Sequence, residues 1–125
     1  MRLMRLFIVF LLALCANFPA LAAESNKWRL EFSGAAESAG ELVLEIAPKG
    51  REPVRVTVLI ERDDGENRVA RKVKTAIDRQ AGRWVDAELD DGEDVLVQRR
   101  LFRPRVLIAL VSSTVKDIRI NFDRE

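Results

Sequence analysis

Apolar and polar positions along this chain change their spacing several times, and each spacing predicts a different element. Leu6 to Ala16 is an unbroken apolar run of eleven residues behind Arg2 and Arg5. Asn17-Phe18-Pro19 breaks it, and Ala20-Leu21-Ala22 offers the small-x-small pattern that a signal peptidase reads. Residues 1–22 are therefore predicted to be a cleaved secretory signal, which implies a periplasmic or secreted protein. Eleven apolar residues are too few to cross a bilayer, and no transmembrane segment is expected in the mature chain, residues 23–125.

From Trp28 onward the period is two. Trp28, Leu30 and Phe32 alternate with Arg29, Glu31 and Ser33; Leu42, Leu44 and Ile46 alternate with Glu41, Val43 and Glu45. Pro48-Lys49-Gly50 marks a turn, and Val54, Val56, Val58 and Ile60 continue as a third strand, the hairpin partner of the second. Between Glu66 and Ala81 the apolar residues are Val69, Ala70, Val73, Ala76, Ile77 and Ala81, a helical stripe. Asp63 or Asp64 is expected to cap its start, and Gly82 to end it in a left-handed conformation. Strand alternation returns at Val85, Ala87 and Leu89, then at Val95 and Val97 after an Asp90-Asp91-Gly92 turn. Val106 to Val111 is uniformly apolar, the pattern of a central strand covered on both faces, and Ile118, Ile120 and Phe122 form a last strand. The predicted fold is α+β: a single domain with a largely antiparallel sheet of about six or seven strands and one helix packed on one face.

Composition narrows the chemistry. The 125 residues include no histidine and no tyrosine. The one cysteine, Cys15, lies inside the predicted signal, where Leu14 occupies the place a lipoprotein signal fills with a small residue. Zinc sites of the usual kind and the Ser-His-Asp and Cys-His nucleophiles are thus excluded from the mature part, and no cofactor is expected. The formal charge of +1 becomes −1 once Arg2 and Arg5 leave with the signal, a balance that argues against nucleic acid as the partner.

The run from Val54 to Phe122 joins a valine-rich strand, Asp-Gly-Glu opening a helix of Val-Ala-x-x-Val-x-x-Ala-Ile type, and Val-Asp-Ala-Glu-Leu-Asp-Asp-Gly. In this it resembles the strand-helix-strand-strand modules of phage-tail, flagellar-hook and secreted bacterial surface proteins. The helix face departs from those modules in being basic where theirs is rich in Ala. The resemblance implies an interaction role.

Several clusters invite a chemical reading. Asp-Asp-Gly-Glu occurs at Asp63 to Glu66 and at Asp90 to Glu93, where carboxylates beside a glycine could hold calcium; without the Asp-x-Asp-x-Asp-Gly spacing, a helix cap and a hairpin turn explain them better. Ser113 and Lys116 match the Ser-x-x-Lys spacing of penicillin-recognising enzymes, but between two strands rather than at a helix start. Trp28 and Trp84 suit core or rim packing. Arg68, Arg71, Lys72, Lys74 and Arg79 form a basic helix face, better explained by solvation than by membrane docking, since the other face offers mostly Ala and Val. The densest basic patch is Arg99, Arg100, Arg103 and Arg105. If Leu101 to Arg105 is extended, Arg103 and Arg105 share a face with Arg99 in line, suited to bidentate recognition of phosphate or carboxylate. Its competing explanation is charge balance against Asp90, Asp91, Glu93 and Asp94 on the preceding turn, together with protection of a sheet edge.

The sequence thus predicts an exported, non-catalytic interaction module of the bacterial envelope, acting through a sheet edge or the Arg-rich surface on an unknown protein or envelope component. The alternative is a polyanion or envelope glycolipid binder using Arg99 to Arg105. A hydrolase built on carboxylates ranks last, because no paired acids show the spacing of a cleft.

Overall fold

The computed structural model describes residues 23–125, and the predicted signal, residues 1–22, lies outside them. Seven strands and one helix follow in the order β1 (Lys27–Ser33), β2 (Gly40–Pro48), β3 (Val54–Ile60), α1 (Glu66–Ala81), β4 (Val85–Asp90), β5 (Asp94–Arg99), β6 (Val106–Ser113) and β7 (Arg119–Arg124). The α+β class holds, but the strands form two antiparallel sheets rather than one. One sheet has the order β4-β5-β1-β7 and the other β3-β2-β6. The β2–β3 hairpin is present, with Leu42 opposite Val58 and Leu44 opposite Val56.

Strands β1, β2 and β3 bury their apolar alternation and turn the polar one outward. Trp28, Leu30 and Phe32 of β1 meet Leu42, Leu44 and Ile46 of β2, Val56 and Val58 of β3, and Val95 and Val97 of β5 in one buried cluster. The stripe of α1 completes it: Val69, Ala70, Val73, Ala76, Ile77 and Ala81 are all buried. Burying a side chain the size of Ile77 contributes about 1.5–3 kcal/mol, and residues 23–125 close this core among themselves, as a unit that folds alone requires.

The helix packs across β3 and β4, the outer strands at one side of the two sheets. Its polar residues occupy the edges it covers. The Gln80 amide accepts from Thr57 N–H and donates to Thr57 O, both at 2.9 Å, standing in for a neighbouring strand on β3. Asp78 Oδ1 accepts from Ala87 N–H of β4 at 3.1 Å. The edges of β3 and β4 are thus partly occupied by the helix.

On the other side β6 and β7 end their sheets. Val106 to Val111 is therefore an edge strand and not a central one. Val106 and Ile108 are buried, while Leu110 and Val111 are 42% and 38% exposed. The outer side of β6 is used only at its start, where Val106 exchanges backbone hydrogen bonds with Ser25 and its carbonyl also accepts from Trp28 Nε1.

Helix α1 starts differently from the expected cap. Gly65 is the N-cap residue and offers no side chain. Asp64 turns back instead: its Oδ2 accepts from Glu61 N–H at 2.9 Å and from Lys72 Nζ at 2.5 Å. Gly82, at φ −60° and ψ −16°, continues the right-handed geometry rather than reversing it. Asp64 is 1% exposed. Burial pushes its carboxyl up, but the Lys72 hydrogen bond, the Glu61 N–H and the charges of Lys72 and Arg68 outweigh it and hold it below its ordinary value. A depressed carboxyl adds stability above its unfolded pKa and loses it as pH falls through the folded value. Asp64→Asn is expected to cost about 2 kcal/mol at neutral pH and to flatten the acid limb of the stability profile below about pH 4. Urea midpoints across pH check this; parallel profiles for both proteins would contradict it.

Candidate functional site: the basic end

Because every neighbouring pair of strands is antiparallel and α1 runs back along them, alternate connections fall at the same end of the molecule. The β2–β3, α1–β4 and β5–β6 connections share one end; the β1–β2, β3–α1, β4–β5 and β6–β7 connections share the other. Charge divides with them. At the first end the connections carry Lys49, Arg51, Arg83, Arg100, Arg103 and Arg105 against Glu52, with Glu24 before β1 and Glu125 after β7 at the same end. At the second stand Glu37, Asp63, Asp64, Asp91, Glu93 and Asp117 among others, and a side-chain hydrogen bond with Asp117, then its charge, raises the Glu37 carboxyl above its ordinary value. A chain of almost no net charge is thus polar end to end, and such a field steers charged partners even where net charge does not.

Trp84 organises the basic end. It lies in the turn after α1, its N–H bonded to Ala81 O at 3.0 Å, and is 8% exposed. Three guanidiniums lie over its ring: Arg83 and Arg103 at 5.1 Å from the centroid and Arg51 at 5.8 Å. The ring's negative face offsets part of their mutual repulsion, about 0.5–1 kcal/mol for each at an exposed site. Trp84 belongs to the buried core, one of the two settings its sequence position suggested, and it also gathers cations from three separate connections.

The four arginines of the predicted patch take different roles. Leu101 and Phe102 form a turn, closed by Arg103 N–H to Arg100 O at 3.0 Å, so the stretch is not extended and the expected common face is lost. Arg99 donates from Nη1 to Arg103 O at 2.8 Å and braces the turn. Arg100 donates from Nε to Gly82 O, and its Nη2 lies 2.8 Å from Asp86 Oδ1. Arg103 stacks on Trp84, while the exposed Arg105 has no ion-pair partner among the described residues. Lys49, Arg51 and Arg83 come from distant parts of the chain and join them; Lys49 N–H donates to Arg105 O at 2.9 Å.

Charge balance by the preceding turn does not occur, because that turn lies at the opposite end of β5. Its acids are engaged by Arg29 of β1, whose Nη1 reaches Asp90 Oδ2 at 2.9 Å and Asp94 Oδ2 at 2.7 Å and whose Nε reaches Glu125 Oε1 at 2.6 Å. The hydrogen bonds that Arg29 donates to Glu125, then to Asp94 and Asp90, raise its pKa above the ordinary value. Oxygens of Asp90, Asp91 and Asp94 approach within 4.8 Å of one another, the spacing a cation would use, and the Arg29 guanidinium bonds two of the three. Ser113 Oγ is hydrogen-bonded with the main chain of Val115, and Lys116 is exposed.

The apex of the β5–β6 connection was missed altogether. Leu101 is 82% exposed and Phe102 93%. Phe102 adopts φ +64° in the third position of its turn, where a type II turn takes glycine. A bulky residue there costs on the order of 1–3 kcal/mol.

None of the described helices is long and apolar enough to cross a membrane. Comparison with models of known families and with characterised proteins finds no match, so the function is argued from these residues and their placement.

Proposed function

We propose that this chain is an exported, non-catalytic interaction module that engages an anionic partner through its basic end. The observation that carries the reading is the convergence of Lys49, Arg51, Arg83, Arg100, Arg103 and Arg105 from three connections, three of them around Trp84. Guanidiniums present paired N–H donors that match phosphate, sulfate and carboxylate oxygens. The export signal read at residues 1–22 and the absence of His from the sequence support the compartment and the lack of catalysis. The resemblance to modules of phage-tail, flagellar-hook and secreted bacterial surface proteins supports an interaction role.

Titration with long-chain polyphosphate at increasing salt tests the reading. With four anionic groups neutralised, affinity should fall roughly fifty-fold between about 50 mM and about 200 mM salt, by counterion release. Salt-independent binding, or none at the lowest salt, would overturn it.

A second reading rests on β6. The Val106–Ser25 exchange shows that the Val106 peptide faces outward, and the period of two then turns those of Ile108 and Leu110 the same way, beside exposed Leu110 and Val111. That edge suits an added strand. Ile108→Pro would abolish such binding and leave polyphosphate binding intact.

A further inference from the structure

We propose that the Leu101–Phe102 apex inserts into the interfacial layer of an anionic phospholipid bilayer, with the surrounding arginines on the headgroups. The inference rests on the basic end being a binding surface and names its partner.

The apex is the most exposed pair of large apolar side chains in the described residues, at 82% and 93%. Single exposed apolar residues are ordinary, but two adjacent ones at the tip of a connection, with Arg99, Arg100, Arg103 and Arg105 beside them and Asp86 and Glu88 on one flank, are not. Their backbone is held. Arg103 N–H bonds Arg100 O, Arg100 N–H bonds Trp84 O at 2.9 Å, and Arg99 Nη1 bonds Arg103 O. Pro104 fixes one more dihedral behind the turn. The pair therefore stands out from a braced base, and little ordering remains to be lost on insertion.

Phe102 sharpens the argument. At φ +64° glycine would relieve strain and remove an exposed aromatic ring at once, yet phenylalanine stands there. Backbone strain and solvent-exposed apolar surface meet in one residue whose ring contributes nothing to the core. A soluble polyanion has use for the arginines but none for this ring. A bilayer uses both: phenylalanine and leucine enter the acyl boundary, while Arg103 and Arg105 keep their charged heads among lipid phosphates. Arg51 and Arg83, gathered at Trp84, extend the cationic patch, and anionic lipid attracts such clusters within a Debye length. The basic face of α1 lacks this combination, since its large apolar residues point into the core.

Flotation of residues 23–125 with vesicles of phosphatidylcholine, with and without phosphatidylglycerol, tests the proposal. Binding to the anionic vesicles alone is expected. Phe102→Gly and Leu101→Ser should each lower partitioning at least about tenfold, the effect of withdrawing one large apolar side chain from the interface. Phe102→Gly should melt no lower than the parent, so its lost binding cannot be ascribed to unfolding, and both variants should keep their polyphosphate affinity. Failure of the parent to float, or flotation of Phe102→Gly equal to the parent, would overturn the insertion. If polyphosphate binds and vesicles do not, the basic-end reading stands without a bilayer partner; if neither binds, both fall. Loss of binding to a soluble acidic protein in Phe102→Gly, without vesicle binding by the parent, would replace the bilayer by a protein pocket.

Discussion

Replacing Arg51, Arg83 and Arg103 together by Gln is expected to lower affinity for an anionic partner about a hundredfold, while the protein stays folded. Each cation beside an anionic surface contributes about 1 kcal/mol, and 1.4 kcal/mol is a factor of ten, so three make roughly two decades. The three guanidiniums lie over one ring, Trp84, and act on the same partner groups. Their loss uncovers part of that ring but leaves the cluster of both sheets and α1 in place, with each stacking contact worth only about 0.5–1 kcal/mol. Arg62→Gln with Lys116→Gln, at the acidic end, and Arg71→Gln, in the first half of α1, remove three charges as well; this matched control should change affinity by less than about twofold. Titration of the three proteins with polyphosphate reads this directly. Equal losses in both variants would mean that net charge, not the basic end, governs binding.

Gly34→Ala is expected to destabilise the fold by about 3 kcal/mol, lowering Tm by roughly 12–24 °C for a domain of this size. Gly34 adopts φ +89°, and a Cβ there would lie 2.0 Å from the carbonyl oxygen of Asp117. Both partners are backbone, so relief requires moving the β6–β7 connection against the end of β1. Gly50 supplies the comparison. It too has positive φ, +73°, but a Cβ there meets nothing within 4 Å, so Gly50→Ala carries the conformational cost alone, about 1 kcal/mol. Thermal melts of both variants check the difference; equal losses would show that the contact with Asp117 is not what requires glycine.

The elements were legible in the sequence because each buries one face. The stripe from Val69 to Ala81 gives the bounds of α1, and the alternations of Trp28–Phe32, Leu42–Ile46 and Val54–Ile60 give β1 to β3. Alternation does not say which sheet a strand joins. β1 pairs with β5 and β7, and β2 with β6, across long stretches of chain. Dimensions could have decided it. A helix of 16 residues is about 24 Å long and about 10 Å wide, whereas seven strands side by side span roughly 33 Å. One such helix cannot cover one such sheet, and folding the strands into two sheets buries the remaining apolar faces. Val106 to Val111 misled because six apolar residues look doubly covered; Leu110 and Val111 are in fact exposed on an edge.

The site was half legible. Local density found Arg99, Arg100, Arg103 and Arg105 but not Lys49, Arg51 or Arg83, which enter through separate connections. Element order held that signal, since antiparallel neighbours return alternate connections to one end. The same rule places Asp90 to Glu93 at the far end, where they cannot neutralise the arginines. The exposure and positive φ of Phe102 had no sequence signal beyond the place of the Leu101–Phe102 pair between Arg100 and Arg103.

The most direct measurement is a ¹⁵N-resolved NMR titration of residues 23–125 with polyphosphate, following amide shifts residue by residue. Shifts gathered at Lys49 to Arg51, Arg83 to Trp84 and Arg99 to Arg105, with little change elsewhere, are the predicted result. Shifts centred on Leu107 to Ser113 of β6, or spread over both ends alike, would contradict a binding surface at the basic end.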